Sequence, residues 1–298
     1  MKKFLLYILF VISGVVLLDI SYRLVCSCYF ESPRPSSRIA KMYGFVSVKD
    51  SCDLAIVGAS RANHHYSVSQ IEDSLSITCY NYGCDGAAIL FNYLCLLRAI
   101  ENSGSKLKCV LFDLSPGQIG KEWIDESISN LYPYYWKNDS LRNIVNEVKG
   151  MDLSILMISA LYQYNSQIFN MMMKAEPSEK GYIPLRYTGK PAPHERDLFK
   201  NGRHESFYSD LGSKYLDRMA SVCKDNGIRF IVITSPYLSI AKKDIIVMRD
   251  MCKSHNIEYW DMSDMIKEPL MYKDYTHLNE RGAKQYSDSI INKLKGIF

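Results

Sequence analysis

The chain has 298 residues, 47% of them hydrophobic and 23% charged, which excludes a disordered chain, a collagen-like chain and a multi-span membrane protein. Its 36 basic and 32 acidic residues leave a net charge of +4, so nothing in the charge balance argues for nucleic-acid binding. Nine cysteines are spread over both halves without C-x-x-C pairs, and Cys26 and Cys28 lack the second pair that a zinc site needs.

Lys2 and Lys3 precede an unbroken apolar or neutral run from Phe4 to Leu18, closed by Asp19 and followed by Arg23. The run is short for a spanning helix, but tilt and snorkelling flanks extend it toward the roughly 20 residues that a bilayer needs. A secretory signal peptide shares this layout, yet no A-x-A cleavage site follows, so an uncleaved signal anchor over 1–28 is the preferred reading. A cleaved peptide, a lipid-modified Cys28 and a buried soluble helix are the alternatives. With the lysines held inside, everything after residue 28 would face the periplasm or the cell exterior.

From Asp53 onward short apolar runs alternate with helical patterns. Strands are expected at 53–58, 77–82, 108–113, 228–234 and 258–260. Helices are expected at 67–75, 87–101, 208–225 and 239–255, with a last one from about Asn279. This alternation predicts a three-layer α/β/α fold with a parallel sheet, whose ligand crevice lies at the carboxyl ends of the strands. Residues 29–298 then form one domain, interrupted at about 118–206 by a mostly helical insertion. There, Met151 to Met173, interrupted by Gln163, Asn165, Gln167 and Asn170, reads as a packing helix in preference to a second membrane span. The Pro- and Gly-punctuated stretch after it reads as a long loop of the kind that closes over a site, with Gly181 to Leu185 as its candidate lid.

The chemistry-bearing residues fall at those strand ends. Val57-Gly58-Ala59-Ser60 turns sharply out of the first strand and presents a serine hydroxyl, or simply a helix cap. More than two hundred residues later, Asp274-Tyr275-Thr276-His277 stands before the last helix. That spacing suits a carboxylate that orients an imidazole acting as base toward a serine, or a plain helix-initiating turn.

Together the serine after the first strand and the Asp-x-x-His before the terminal helix resemble the SGNH, or GDSL-type, hydrolases over about 53–117 and 207–298. The resemblance implies Ser60 as nucleophile, His277 as base and Asp274 as its orienting carboxylate. It also implies an oxyanion hole from the backbone N–H groups of Ser60 and Gly83, the latter in Asn81-Tyr82-Gly83 after the second strand. The family's further donor, an asparagine after the third strand, is missing: the chain reads Phe112-Asp113-Leu114-Ser115-Pro116, and an ionised Asp113 cannot donate. Ser115, Arg61 or Asn63 is then the candidate replacement, or the oxyanion hole is reduced.

Diverged relatives in bacterial surface-polysaccharide acetylation often lack that block. The resemblance therefore implies an esterase removing O-acyl, foremost O-acetyl, groups from a cell-surface carbohydrate, with neither metal nor organic cofactor. An O-acetyltransferase using the same triad and a non-catalytic glycan-binding or assembly protein are the competing readings.

Lesser signals carry weaker expectations. Adjacent His64 and His65 point apart and lack a ligand-spaced partner, so a crevice-lining role is preferred to a metal site. The aromatic patch Tyr132-Pro-Tyr-Tyr-Trp136 fits core packing better than sugar stacking. Thr234 to Tyr237 is a candidate substrate-contacting loop, and Cys84 is read as packing.

Overall fold

The computed structural model describes residues 2–31, 51–120, 124, 127–164, 178–192, 209–238, 240 and 242–298. In chain order the first elements are α1 (Lys2–Glu31), β1 (Leu54–Gly58), α2 (Ser60–His65), α3 (Val68–Leu75), β2 (Cys79–Asn81), α4 (Ile89–Ser103) and β3 (Cys109–Asp113). Then follow α5 (Asp139–Lys149), α6 (Ala160–Tyr164), α7 (Asp210–Asp225), β4 (Arg229–Thr234), α8 (Lys242–Ser254), β5 (Glu258–Asp261) and α9 (Glu280–Leu294). They group into two compact units, Met1–Val46 with Ile128–Ala175 and Ser47–Ser127 with Glu176–Phe298.

The second unit is built on a five-stranded sheet of order β2-β1-β3-β4-β5, with every neighbouring pair parallel. Parallel strands flanked by helices bury both faces, so β1 and β3 carry no exposed position. Alternate residues serve opposite faces. Leu54, Ile56, Leu111, Ile231 and Ile233 pack with Val68 and Ile71 of α3 and with Tyr286, Ile290 and Leu294 of α9. On the other face lie α4 and α7, where the rings of Tyr93 and Tyr215 meet edge to face at 5.4 Å. Each fully buried aliphatic side chain of this kind contributes about 1.5–3 kcal/mol.

β1 lies between β2 on one side and β3 on the other, so the chain reverses its direction of travel across the sheet at this point. In open parallel sheets such a switch leaves a crevice beyond the carboxyl ends of the strands. Ser60 stands at that position, two residues after β1.

The first unit pairs α1 with the 155–164 segment. Asp19, Arg23 and Ser27, four residues apart along one side of α1, face this segment. Asp19 accepts from Ser159 Oγ (2.8 Å), Ala160 N (2.8 Å) and Leu161 N (3.1 Å). The packing helix expected over 151–173 is not one element: a tight turn at Leu156–Ile158 precedes the short α6, and 165–173 lie outside the described residues. The physical reason is local capping, since Asp152 Oδ1 accepts both the N–H and the hydroxyl of Ser154 and Asp19 starts α6 afresh. Tyr132, Tyr134 and Tyr135 are core residues, and only Trp136 of the aromatic patch is exposed.

Candidate active site

The turn from β1 into α2 needs glycine at position 58. Its φ is +153°, and a Cβ there would stand 2.7 Å from both the Asp113 carbonyl oxygen and the Ala62 Cβ. The close approach lets the chain leave the sheet at once, so that α2 begins on Ser60 itself.

His277 arrives from the opposite end of the chain on a pinned loop. Tyr272 and Leu278 form an antiparallel bridge, and Lys273 N–H donates to the His277 carbonyl at 2.8 Å. Asn279 caps α9 by accepting from Arg281 N and Gly282 N. Within the loop Asp274 Oδ1 accepts the N–H groups of Thr276 and His277, both at 2.9 Å, folding the turn around its own carboxylate.

Ser60, His277 and Asp274 come together in line. Ser60 Oγ lies 2.7 Å from His277 Nε2, and His277 Nδ1 lies 2.9 Å from Asp274 Oδ2. A carboxylate only accepts, so the ring carries its proton on Nδ1 and leaves Nε2 to accept the Ser60 hydroxyl. Partial burial works against the Asp274 charge, but the bonds from His277 and the Thr276 and His277 N–H groups outweigh it and hold the carboxyl well below its ordinary range. Asp274 therefore stays ionised. The His277 and Asp274 side chains remain 24% and 40% exposed, so the site opens to solvent.

The other sequence candidates divide. Gly83 lies against α2: a Cβ on it would stand 2.3 Å from Asn63 N, and its own N–H donates to Asn81 Oδ1 at 2.8 Å. That N–H is thus engaged within the β2 exit rather than held open as a donor. Arg61 turns into the interior. Its Nη2 is 2.9 Å from Asp113 Oδ1 and donates to Leu114 O, its Nη1 donates to Ser235 O, and its guanidinium stacks 4.0 Å from the Tyr237 ring centroid.

Asp113, also accepting from Tyr66 OH at 2.8 Å, is fully buried, and burial opposes its charge while Arg61 favours it. Ser115 N and Oγ both donate to Gln118 Oε1, closing the turn after β3. Arg61 and Ser115 are consequently not placed to supply an oxyanion donor, a correction to that part of the sequence reading. Thr234 and Ser235 are likewise buried, and the Tyr237 ring packs against the Arg61 guanidinium. Asn63, three residues after Ser60 on the same side of α2, is engaged as well, its Nδ2 donating to Asp85 Oδ1 at 2.7 Å, but its amide carries two hydrogens where a backbone N–H has one.

Asp85 carried no signal in the sequence, whereas His64 and His65, set aside there as metal ligands, both lie beside the His277 ring. His65 is buried, with Nδ1 2.9 Å from Ser235 Oγ and Nε2 accepting from Leu278 N at 3.0 Å. His64 reaches Ile183 O (2.7 Å) through Nδ1 and Asp85 Oδ1 (3.1 Å) through Nε2, with its ring edge-on to His277. The expected lid is a fixed wall over its described residues: Asn81 N–H donates to Lys180 O, Ile183 N–H to Asn63 O, and Glu280 N–H to Leu185 O. Cys84 is buried as a packing residue. Among the described residues no three His, Cys, Asp or Glu side chains converge to hold a metal.

A family model without a functional description matches residues 195–298. No curated protein matches the chain. Fifteen chains of known structure do. Among them is a Bacteroides fragilis protein provisionally named an acylhydrolase, 12% identical, with a TM-score of 0.36 over 81% of this chain and 87% of that one.

Proposed function

We propose that the chain is a membrane-anchored serine ester hydrolase of SGNH type that removes O-acyl, foremost O-acetyl, groups from a cell-surface carbohydrate. The observation that carries this reading is the aligned set Ser60 Oγ, His277 and Asp274, with contacts of 2.7 and 2.9 Å. Its elements are drawn from opposite ends of the chain, and a surface turn needs no such convergence.

In this reading His277 Nε2 takes the Ser60 proton as Oγ attacks the ester carbonyl, and Asp274 stabilises the imidazolium that forms. The tetrahedral oxyanion is held by the Ser60 N–H and the Asn63 side-chain amide. Collapse breaks the bond to the sugar oxygen, which takes the proton from His277 and departs as the free hydroxyl. The acyl group stays on Ser60. Water, deprotonated by His277, then attacks the acyl-enzyme and releases the carboxylic acid. The open setting of His277 and Asp274 supports a substrate in which the ester hangs from a large molecule that the protein does not engulf.

The N-terminal helix supports anchoring: Lys2–Cys28 is long and apolar enough to cross a bilayer, and the window is unburied. With Lys2 and Lys3 retained inside, the catalytic unit faces outward.

A second reading, a glycan-binding protein that keeps the fold, draws on the engagement of the Gly83 N–H by Asn81. The test is acetate release from an O-acetylated oligosaccharide by the full chain in detergent, with no acceptor added. Release that Ser60→Ala abolishes supports the hydrolase. Carbohydrate binding without release supports the second reading, and acetyl transfer seen only with an added sugar acceptor replaces hydrolysis by transfer.

A further inference from the structure

We propose that residues 155–161 form a second membrane contact, lying in the headgroup and upper acyl region of the bilayer beside α1. The inference rests on the reading of α1 as an anchor and goes beyond it. The apolar run Phe4–Leu18 spans 15 residues, about 22 Å of helix at 1.5 Å per residue, against a hydrocarbon core of about 30 Å. A bilayer of ordinary thickness therefore takes in roughly the next five residues of α1 as well, and with them Asp19 and Arg23.

Unpaired charges at such depth are unfavourable, most so at the bilayer centre and less toward its edge. Here both have partners, which among the described residues lie within Ile158 to Gln163. Asp19 accepts from Ser159 Oγ and from the N–H groups of Ala160 and Leu161. Arg23 donates to Gln163 Oε1 and to the Ile158 carbonyl. The same bonds satisfy backbone groups of the segment that lipid could not. Contacts that make the two charges tolerable thus hold the segment at that depth.

The segment's own composition suits the location. From Leu153 to Tyr164 there is no charged residue. Ile155, Ile158 and Leu161 are 80%, 68% and 56% exposed, an apolar surface left uncovered among the described residues of the first unit. Trp136, also exposed, donates its Nε1–H to Met157 O at 3.3 Å, an amphipathic ring of the kind enriched at membrane interfaces.

The test reconstitutes the full chain in phosphatidylcholine–phosphatidylglycerol vesicles, with Ile158→Trp as the probe and Leu161→Trp as a second one, the emission of the three native tryptophans being subtracted through the wild type. Lipids brominated near the headgroup are expected to quench the added emission about two-fold, and lipids brominated at the chain ends much less, as for side chains seated about 5–10 Å deep. Flotation after alkaline carbonate reports α1 separately. A chain that fails to float overturns both the anchor and this inference. A chain that floats with both probes unquenched overturns this inference alone, and concentration-dependent emission in that case assigns the patch to a second copy of the chain.

Discussion

His65 Nε2 accepts the Leu278 N–H at 3.0 Å, so a ring five residues after Ser60 holds the chain one residue beyond His277. Because Nε2 accepts, the ring proton sits on Nδ1, 2.9 Å from Ser235 Oγ. His65 is thereby a positioning residue that fixes α2 against the His277 loop.

The first prediction is a pH dependence of stability. Burial, reinforced by the neighbouring Arg61 charge, pushes the His65 pKa well below its ordinary value. The unfolded chain binds this proton below about pH 6.5 and the folded chain does not. Stability is therefore level above that pH, and falls below it by up to about 1.4 kcal/mol per pH unit until the folded ring protonates. Asp274, held low, acts in a separate window, losing its contribution as pH falls below about 4. Unfolding midpoints of wild type and His65→Gln between about pH 5 and 7.5 check this, the slope being shallower in the variant. Equal slopes would assign the acid sensitivity elsewhere.

Asn63→Ala should lower kcat about 10²–10³-fold with little change in KM, as expected for loss of a donor made mainly to the transition state. Steady-state kinetics on an acetyl ester reads the split. A change confined to KM contradicts the role in the oxyanion hole and makes Asn63 a substrate contact.

Gly83→Ala keeps the backbone N–H but sets a Cβ 2.3 Å from Asn63 N and 2.6 Å from the Ala62 carbonyl carbon. We expect a loss of at least about 2 kcal/mol in stability, measured as a shift in denaturant midpoint. Unchanged stability would mean that α2 and the β2 exit are less closely packed than described.

Arg61→Ala should cost about 3–5 kcal/mol, because it leaves the Asp113 carboxylate buried without its cation. Chemical denaturation followed by tryptophan emission provides the measurement. Near-native stability with lost activity would instead place Arg61 in contact with substrate.

The strand ends were legible in the sequence because buried parallel strands leave short apolar runs: the runs at 53–58 and 108–113 became Leu54–Gly58 and Cys109–Asp113. Ser60 could be singled out because it falls where such a run stops, and His277 because it follows Asp274 by three residues just before the last helix. The α2 helix could not, since its six residues include no apolar period and are buried for other reasons. Arg61 entered as a candidate oxyanion donor because nothing in the spacing shows that it pairs with Asp113 in the interior. The sequence marked His65 but not its role, and left Asp85 unmarked, as their partners, Leu278 and His64, are set by loop geometry and not by spacing.

The central claim is that Ser60 is a nucleophile activated by His277. Labelling of the full chain with a fluorophosphonate probe, which captures activated serines covalently, tests it most directly. A single adduct on Ser60 is expected in the wild type, absent in Ser60→Ala and strongly slowed in His277→Ala. A wild-type chain left unlabelled where a control serine esterase reacts fully, or equal labelling of Ser60→Ala, would contradict it.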